Sequence, residues 1–301
     1  HDSDERLNFG SSLFESNNIY INSKFNGILK RYSLYDKFGE LNIYLLPFVK
    51  ASQVQHFFPE EKIDSYDMAV RTIIKHSDFD AKKRNILVAH QFVAGKEDPE
   101  IAGSEGLSVH NVGMVEKIGY GSLAEFDYVA LGHIHSPQSV GLKHIRYSGS
   151  PLKYSLSEVN NNKSVPIITF KDKGEVLVEF APLLPMRDIR HLRGNIKNLL
   201  DKKNISMEND FIYATLTNED IVNDAIGIFR EYYPNTVKID YDNSHTKEIE
   251  NVDITRITQN KTFDELIKDF YMQMYSCDMG EEELEIMKWA AKEAGVGNEA
   301  D

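Results

Sequence analysis

The segment Phe126–His135, F-D-Y-V-A-L-G-H-I-H, constrains the fold more than any other part of this 301-residue chain. An apolar run leads to Gly132, and His133 and His135 follow two positions apart. Residues i and i+2 of an extended chain point to the same side, and imidazole is the commonest metal ligand in proteins. Gly132 has no Cβ, so a metal ion or a phosphate has room to approach it. The segment therefore predicts a buried strand that delivers two histidines to one metal site.

A third histidine, His90, ends another apolar run, N-I-L-V-A-H. Open α/β sheets place ligands at the carboxyl ends of their strands, so His90 is expected near His133 and His135. A single histidine is more often a hydrogen-bonded core or surface residue, and this alternative stays open for each of the three. It is the preferred interpretation for the histidines in polar or helical contexts, namely His56, His76, His144, His191 and His245.

Helical and extended patterns alternate through residues 1–181. The expected helices are Leu7–Asn18 and Ile63–Phe79, and a strand pair is expected within Ile28–Phe48. Further strands are expected at Asn85–Ala89, Asp127–Leu131, Ile145–Tyr147, Val165–Phe170 and Glu175–Phe180. Helices alternating with buried strands, followed by strand pairs, predict a layered α/β core.

The proline-containing segment Ala181–Pro185 marks a predicted domain boundary. Residues 182–250 then predict a small α+β domain with helices at Gly194–Lys203 and Glu219–Glu231 and strands at Phe211–Leu216 and Thr236–Tyr241. Residues 251–301 predict two helices, the first of which begins at Thr262 with Glu265 three positions on, a capping-box pattern. The predicted domains are therefore 1–181, 182–250 and 251–301.

Composition limits the compartment and the partners. Cys277 is the only cysteine, which excludes an intrachain disulfide and a zinc–cysteine cluster and favours the cytoplasm. The sequence shows no membrane-spanning run and no signal peptide. The net charge of −13 opposes nucleic-acid binding, but −8 of it lies in residues 250–301 and leaves the remainder mildly acidic. The chain begins at His1 without a methionine, so we expect it to be a fragment.

Three segments together resemble the SbcD nuclease subunit family of calcineurin-like metallophosphoesterases. They are N-I-L-V-A-H-Q-F-V, F-D-Y-V-A-L-G-H-I-H-S-P-Q and I-R-Y-S-G-S-P-L-K-Y-S-L-S-E. The opening H-D-S-D-E-R-L is similar to the continuation of that family's G-N-H-D-S block. The resemblance covers residues 1–180 in order and spacing, and it continues more weakly to the carboxyl end. It implies a layered β-sandwich flanked by helices, a capping domain at 182–250 and carboxyl-terminal helices that bind an ATPase.

The resemblance also implies a dinuclear metal centre, usually with two Mn²⁺ ions. His90 and His133 would bind one ion and His135 the other. His1 would be the second-sphere catalytic histidine, oriented by Asp2. A ligand set of nitrogen and oxygen atoms without thiolate suits manganese, iron or zinc.

The sequence departs from the family in lacking the D-x-H strand, the bridging aspartate and the asparagine before His1. These motifs supply the carboxylate ligands, so we expect the chain alone to bind metal weakly and to show no measurable nuclease activity with Mn²⁺. Robust cleavage that His135→Ala abolished would contradict this expectation.

The implied function is an exo- and endonuclease subunit that acts on double-strand ends and hairpins with an SbcC-type ATPase, in DNA repair, recombination and replication. The implied assembly contains a homodimer, for which the first helix is a candidate interface. Candidate DNA contacts are Ser148, Gly149 and Ser150, and candidate partner contacts are Phe263, Leu266, Phe270 and Tyr271. Three alternatives stay open: plain surface loops and core helices at these positions, an inactive scaffold fragment, and another calcineurin-like phosphoesterase.

Overall fold

A computed structural model describes residues 6–7, 11–101, 117–244, 263–275 and 278–293 of the chain. The chain divides into two compact units, one of residues 1–192, 206–213 and 229–238, and one of residues 193–205, 214–228 and 239–301. The domain boundaries after residues 181 and 250 stay predictions. Across the described ranges, no helix has both the length and the apolar character needed to cross a membrane.

The main sheet lies in the first unit and contains six strands in the order β1-β2-β3-β6-β8-β7. Their bounds are Lys30–Asp36 (β1), Gly39–Leu46 (β2), Arg84–Ala89 (β3), Tyr128–Leu131 (β6), Gln138–Val140 (β7) and Leu142–Tyr147 (β8). Strands β2, β3, β6 and β8 run parallel, and an antiparallel strand closes each edge. The two short strands Val93–Ala94 (β4) and Ile118–Gly119 (β5) pair separately. The mixed α/β architecture predicted from the sequence is therefore observed.

The strand pair expected within Ile28–Phe48 is confirmed as the β1–β2 hairpin, in which Asp36 pairs with Gly39. Gly39 has a φ of +99°, a left-handed conformation that glycine adopts without steric cost. Strands Ser164–Phe170 (β9) and Val176–Pro182 (β10) form the second predicted pair.

Of the three helices in the described part of the first unit, two were predicted with wider bounds. Helix α1 is Ser11–Glu15, helix α2 is Ala51–Phe57, and helix α3 is Tyr66–Lys75. The predicted helix Ile63–Phe79 was too long because the Ser65 hydroxyl accepts the Met68 amide and starts the helix there. Helix α2 was not predicted.

The core of this unit combines the sheet with one face of α3. Ala69, Val70 and Ile73 of α3 are buried. They belong to the same apolar cluster as Tyr44 of β2 and Leu87 of β3. Burial of this face fixes α3 against the sheet.

Buried polar groups hold the amino ends of the strands. The Asp127 carboxylate accepts the Asn85 amide at 2.7 Å, the Gly174 amide at 2.9 Å and the Lys173 ammonium at 2.8 Å. Lys173 and Gly174 form the turn between β9 and β10, so one carboxylate ties that hairpin to the main sheet.

Tyr147, at the end of β8, fixes the loop that follows His90. Its hydroxyl accepts the Val93 amide at 2.7 Å and donates to the Gln91 carbonyl at 2.9 Å. The side chain is fully buried, and burial raises its pKa above the usual value for tyrosine. The hydroxyl is therefore a structural hydrogen-bonding group for this loop.

Three further strands, Ile189–Gly194 (β11), Phe211–Leu216 (β12) and Thr236–Tyr241 (β13), form a sheet in this order. Strands β12 and β13 were predicted, whereas β11 was missed because its sequence, I-R-H-L-R-G, has too few apolar residues. Helix α4 is only Ile196–Leu199, and helix α5 is Ala225–Tyr232, so both predicted helices were too long. Helices α6, Phe263–Tyr275, and α7, Glu281–Glu293, match the two predicted carboxyl-terminal helices.

We predict that Tyr147→Phe lowers the free energy of unfolding by about 1–3 kcal/mol, because it leaves the buried Val93 amide without an acceptor. The matched control is Tyr35→Phe, which removes an exposed hydroxyl and should change stability by less than about 0.5 kcal/mol. Urea denaturation followed by circular dichroism measures both values. Equal effects of the two substitutions would contradict the assigned role of Tyr147.

Candidate metal centre

The parallel pairing of β3 and β6 places two predicted ligands side by side. Ala89 pairs with Leu131 at the carboxyl ends of these strands. The Gly132 amide donates to the Ala89 carbonyl at 2.9 Å and extends the pairing by one residue. His90 and His133 therefore leave the sheet at the same edge, as the sequence predicted.

The rings of His90 and His133 pack edge to face, with 5.1 Å between their centroids and 68° between their planes. His133 has a φ of +87°, a left-handed conformation that is uncommon for a residue with a side chain. Such a conformation carries a steric cost, and residues held in it concentrate at functional sites. The Phe92 ring also packs edge to face with His133, at 6.4 Å between centroids.

Burial favours the neutral form of both imidazoles. Burial, and to a smaller extent the neighbouring His90 and His135, lower the pKa of His133 to about 4. His90 presents part of its surface to solvent, yet the surrounding protein desolvates its ring enough to lower its pKa. A neutral imidazole has the free lone pair that metal binding requires.

Gly132 makes the contact between the two histidines possible. A Cβ at this position would lie 2.8 Å from Nδ1 of His90, closer than such atoms approach in proteins. The sequence interpretation gave this space to a metal ion or a phosphate. The structure shows that the His90 ring occupies it.

His135 has ring and side-chain contacts outside the pair formed by His90 and His133. Its ring contacts the Tyr154 ring, with 5.7 Å between centroids, and its Nδ1 is 3.5 Å from Oε1 of Glu158. In the part of the chain that the structure describes, no three His, Cys, Asp or Glu side chains form a group that could hold a metal ion. His1 and Asp2 lie outside the described residues.

His90 and His133 have the chemistry of metal ligands, and their rings lie next to each other. The pair has no thiolate, which suits manganese, iron or zinc. Two imidazoles do not complete a metal site, so an ion bound here needs additional ligands. The assignment of His135 to a second ion stays a prediction.

A buried ion pair behind His135 was missed by sequence reasoning. Glu158 and Lys163 are almost fully buried, and the Lys163 ammonium is 2.5 Å from Oε2 of Glu158. The segment S-L-S-E-V-N-N-N-K is mostly polar, so no apolar pattern indicated that these two charges are internal.

The candidate DNA contacts differ in exposure. Ser148 and Gly149 are partly exposed, whereas Ser150 is buried and its hydroxyl donates to the Leu152 carbonyl at 2.7 Å. Gly149 has a φ of +80° that a side chain would strain. A role of these residues in DNA binding stays a prediction.

The candidate partner contacts lie on α6. Phe270 is 60% exposed, and the Tyr271 hydroxyl donates to Glu283 of α7 at 2.7 Å. Leu266 is half-buried, and the Phe263 side chain lies outside the described residues. Their role in partner binding also stays a prediction.

Comparison with known proteins adds to this geometry. Residues 185–275 match the family described as "Type 5 capsule protein repressor C-terminal domain". The chain is 30% identical over 280 residues to the SbcD subunit of the nuclease SbcCD from Staphylococcus epidermidis, an alignment that covers 91% of this chain and 71% of the relative. It is also 30% identical over 270 residues to the protein of the same name from Staphylococcus saprophyticus subsp. saprophyticus, with 88% and 69% covered.

The chain belongs to the SbcD nuclease subunit family. The resemblance inferred from the three sequence segments is thereby confirmed. The mixed α/β fold, with several sheets and flanking helices, is consistent with membership of the SbcD family.

We predict that Gly132→Ala displaces the His90 ring and lowers the free energy of unfolding by about 1–3 kcal/mol, because the added Cβ overlaps Nδ1. The matched control is Gly121→Ala, where a Cβ would meet no atom within 4 Å. Thermal unfolding and the histidine ring signals in an NMR spectrum measure both effects. Unchanged His90 signals in Gly132→Ala would contradict the assigned packing.

Proposed function

We propose that the chain belongs to the nuclease subunit of a complex with an SbcC-type ATPase. That subunit would hydrolyse phosphodiester bonds of DNA with two Mn²⁺ ions, for which the 301 residues supply only part of the ligands. The observation that carries the proposal is the contact between neutral His90 and His133 at the shared edge of β3 and β6. Membership of a family whose curated relatives are named as nuclease subunits supports the same assignment.

His90 and His133 would hold one ion and His135 the other. When bound, the two ions would supply a nucleophile at neutral pH and stabilise the charge that develops on the reacting phosphodiester. The protein's contribution is to keep His90 and His133 neutral and in fixed orientations. His1 would stabilise the transition state or protonate the leaving oxygen, and Asp2 would orient its ring.

The proposed substrates are double-strand ends and hairpins, and the proposed processes are DNA repair, recombination and replication in the cytoplasm. Backbone amides around Ser148 and Gly149 would contact DNA phosphates. A homodimer of this protein within a larger assembly with the ATPase is part of the proposal.

The ATPase would bind the helices α6 and α7. These helices expose large apolar side chains to solvent, which is typical of interaction surfaces. The exposed residues are Phe270, Met272, Ile286, Met287 and Trp289. The name of the relatives' complex, SbcCD, joins SbcD to SbcC and supports this choice of partner.

The second candidate function is an inactive scaffold that binds DNA and the ATPase without catalysis. It is favoured by one observation, that the described ranges contain no group of three metal-ligating side chains. Another calcineurin-like phosphoesterase is the remaining alternative, and cleavage of a small chromogenic phosphodiester but not of DNA would favour it.

A cleavage assay tests the proposed function. The chain, and a form extended upstream in its gene, are incubated with Mn²⁺, the ATPase and an end-labelled DNA hairpin. We expect no measurable cleavage by the 301-residue chain and cleavage by the extended form. His133→Gln in the extended form should reduce the rate by more than about 100-fold, since even the loss of a group that only supports a metal ligand costs about 10–100-fold.

The matched control is His76→Gln, which replaces an exposed histidine that contacts Glu61, away from the strand ends. It should leave the cleavage rate unchanged. Cleavage that His133→Gln does not reduce would contradict the proposed site, and an inactive extended form that still binds the ATPase would favour the scaffold.

A further inference from the structure

We propose that Glu158, held by Lys163, is a positioning residue that keeps His135 in the tautomer with its proton on Nδ1. This inference rests on the proposed function, because it assumes that Nε2 of His135 is the metal-binding atom. The observation behind it is a buried carboxylate facing Nδ1 of His135 at 3.5 Å.

Glu158 is completely buried, and both of its oxygens have defined partners. Oε2 is 2.5 Å from the Lys163 ammonium and 3.2 Å from the Ser150 hydroxyl oxygen. Oε1 accepts the Tyr154 amide at 3.2 Å and faces His135. The carboxylate is therefore fixed on one side by a cation and presents its other oxygen to the imidazole.

Lys163 ties the same network to the backbone of His135. Its ammonium donates to the His135 carbonyl at 3.0 Å and to the Ser150 hydroxyl at 2.8 Å. The Ser150 amide donates to the same His135 carbonyl at 3.0 Å. Backbone and side chain of His135 are thus held by two residues of one ion pair.

Burial of such a pair has a large desolvation cost, and a matched apolar pair is often equally stable or more stable. Stability alone therefore does not explain two charges buried at this position. Metal-ligating histidines usually donate their second ring N–H to a carboxylate or a carbonyl, which fixes the tautomer and raises the basicity of the ligating nitrogen. Glu158 has the chemistry and the position for this role.

The test compares two double variants that both remove the buried charges. E158L/K163M replaces the pair with apolar side chains of similar size and removes the acceptor opposite Nδ1. E158Q/K163M retains an amide oxygen as acceptor and serves as the conservative variant. Both are made in the 301-residue chain, and thermal unfolding verifies that each is folded.

The readout is a long-range ¹H–¹⁵N NMR correlation spectrum of ¹⁵N-histidine-labelled protein without metal at pH 8, with His135 assigned from His135→Gln. We expect the Nδ1–H tautomer in the wild type and in E158Q/K163M. In E158L/K163M we expect a shift towards the Nε2–H tautomer, which imidazole prefers in water. A merely structural role of Glu158 would not change the tautomer.

An Nε2–H tautomer in the wild type overturns the proposal, whether or not the variants fold. An unchanged Nδ1–H tautomer in folded E158L/K163M overturns it as well. Titration with Mn²⁺, followed by electron paramagnetic resonance, separates this result from the proposed function. It uses the form extended upstream with the same substitutions, because the 301-residue chain is expected to bind metal weakly. We expect an affinity loss of about 10–100-fold in E158L/K163M only. If the tautomers are as expected but no form binds Mn²⁺, the result supports the positioning role of Glu158. It then contradicts the assignment of His135 as a metal ligand.

Discussion

The parallel pairing of β3 with β6 is the interaction on which the rest of the site depends. It aligns Ala89 with Leu131, so that the chain leaves both strands at the same level. The hydrogen bond from the Gly132 amide to the Ala89 carbonyl then joins the ends of the two strands. Contact between His90 and His133, and the neutral state of both rings, follow from this alignment. A slip of one residue would direct the side chains to opposite faces of the sheet.

Apolar burial fixes the strands, whereas buried polar groups fix the loops that follow them. The Tyr147 hydroxyl holds the loop after His90 through the Val93 amide. The Glu158–Lys163 pair holds the segment that contains His135. Because each loop is anchored by hydrogen bonds to the interior, the imidazoles are presented from fixed backbone positions. Such preorganisation is what a site needs when it must hold its ligands in place before they bind.

The sequence predicted the parts of the fold that depend on strong local patterns. The apolar runs before His90 and His133 indicated both strands, and the positions of these histidines at the strand ends indicated the contact between them. The predicted bounds of α3 were wrong because the Ser65 side chain caps the helix and sets its start. The apolar periodicity of the sequence continues on both sides of Ser65 and does not mark this start. Strand β11 was missed because its pairing with β12 compensates for a polar sequence.

The residues that support the site could not be predicted from the sequence, because no local pattern marks them either. Glu158 and Lys163 stand in a polar segment, where charged residues normally lie on the surface. Their burial arises from the path of the chain around His135, which no local pattern encodes. Likewise, the His90 ring fills the space beside Gly132. This contact joins two segments that are distant in sequence, so no local pattern predicts it.

The central claim is that the histidines at the ends of β3 and β6 bind one metal ion. Electron spin-echo envelope modulation of Mn²⁺ added to concentrated protein tests it most directly, because it detects ¹⁴N nuclei bonded to the ion. We expect imidazole nitrogen modulation in the wild type and weaker modulation in both His90→Gln and His133→Gln. Modulation that is absent from the wild type, or unchanged in both variants, would contradict the claim.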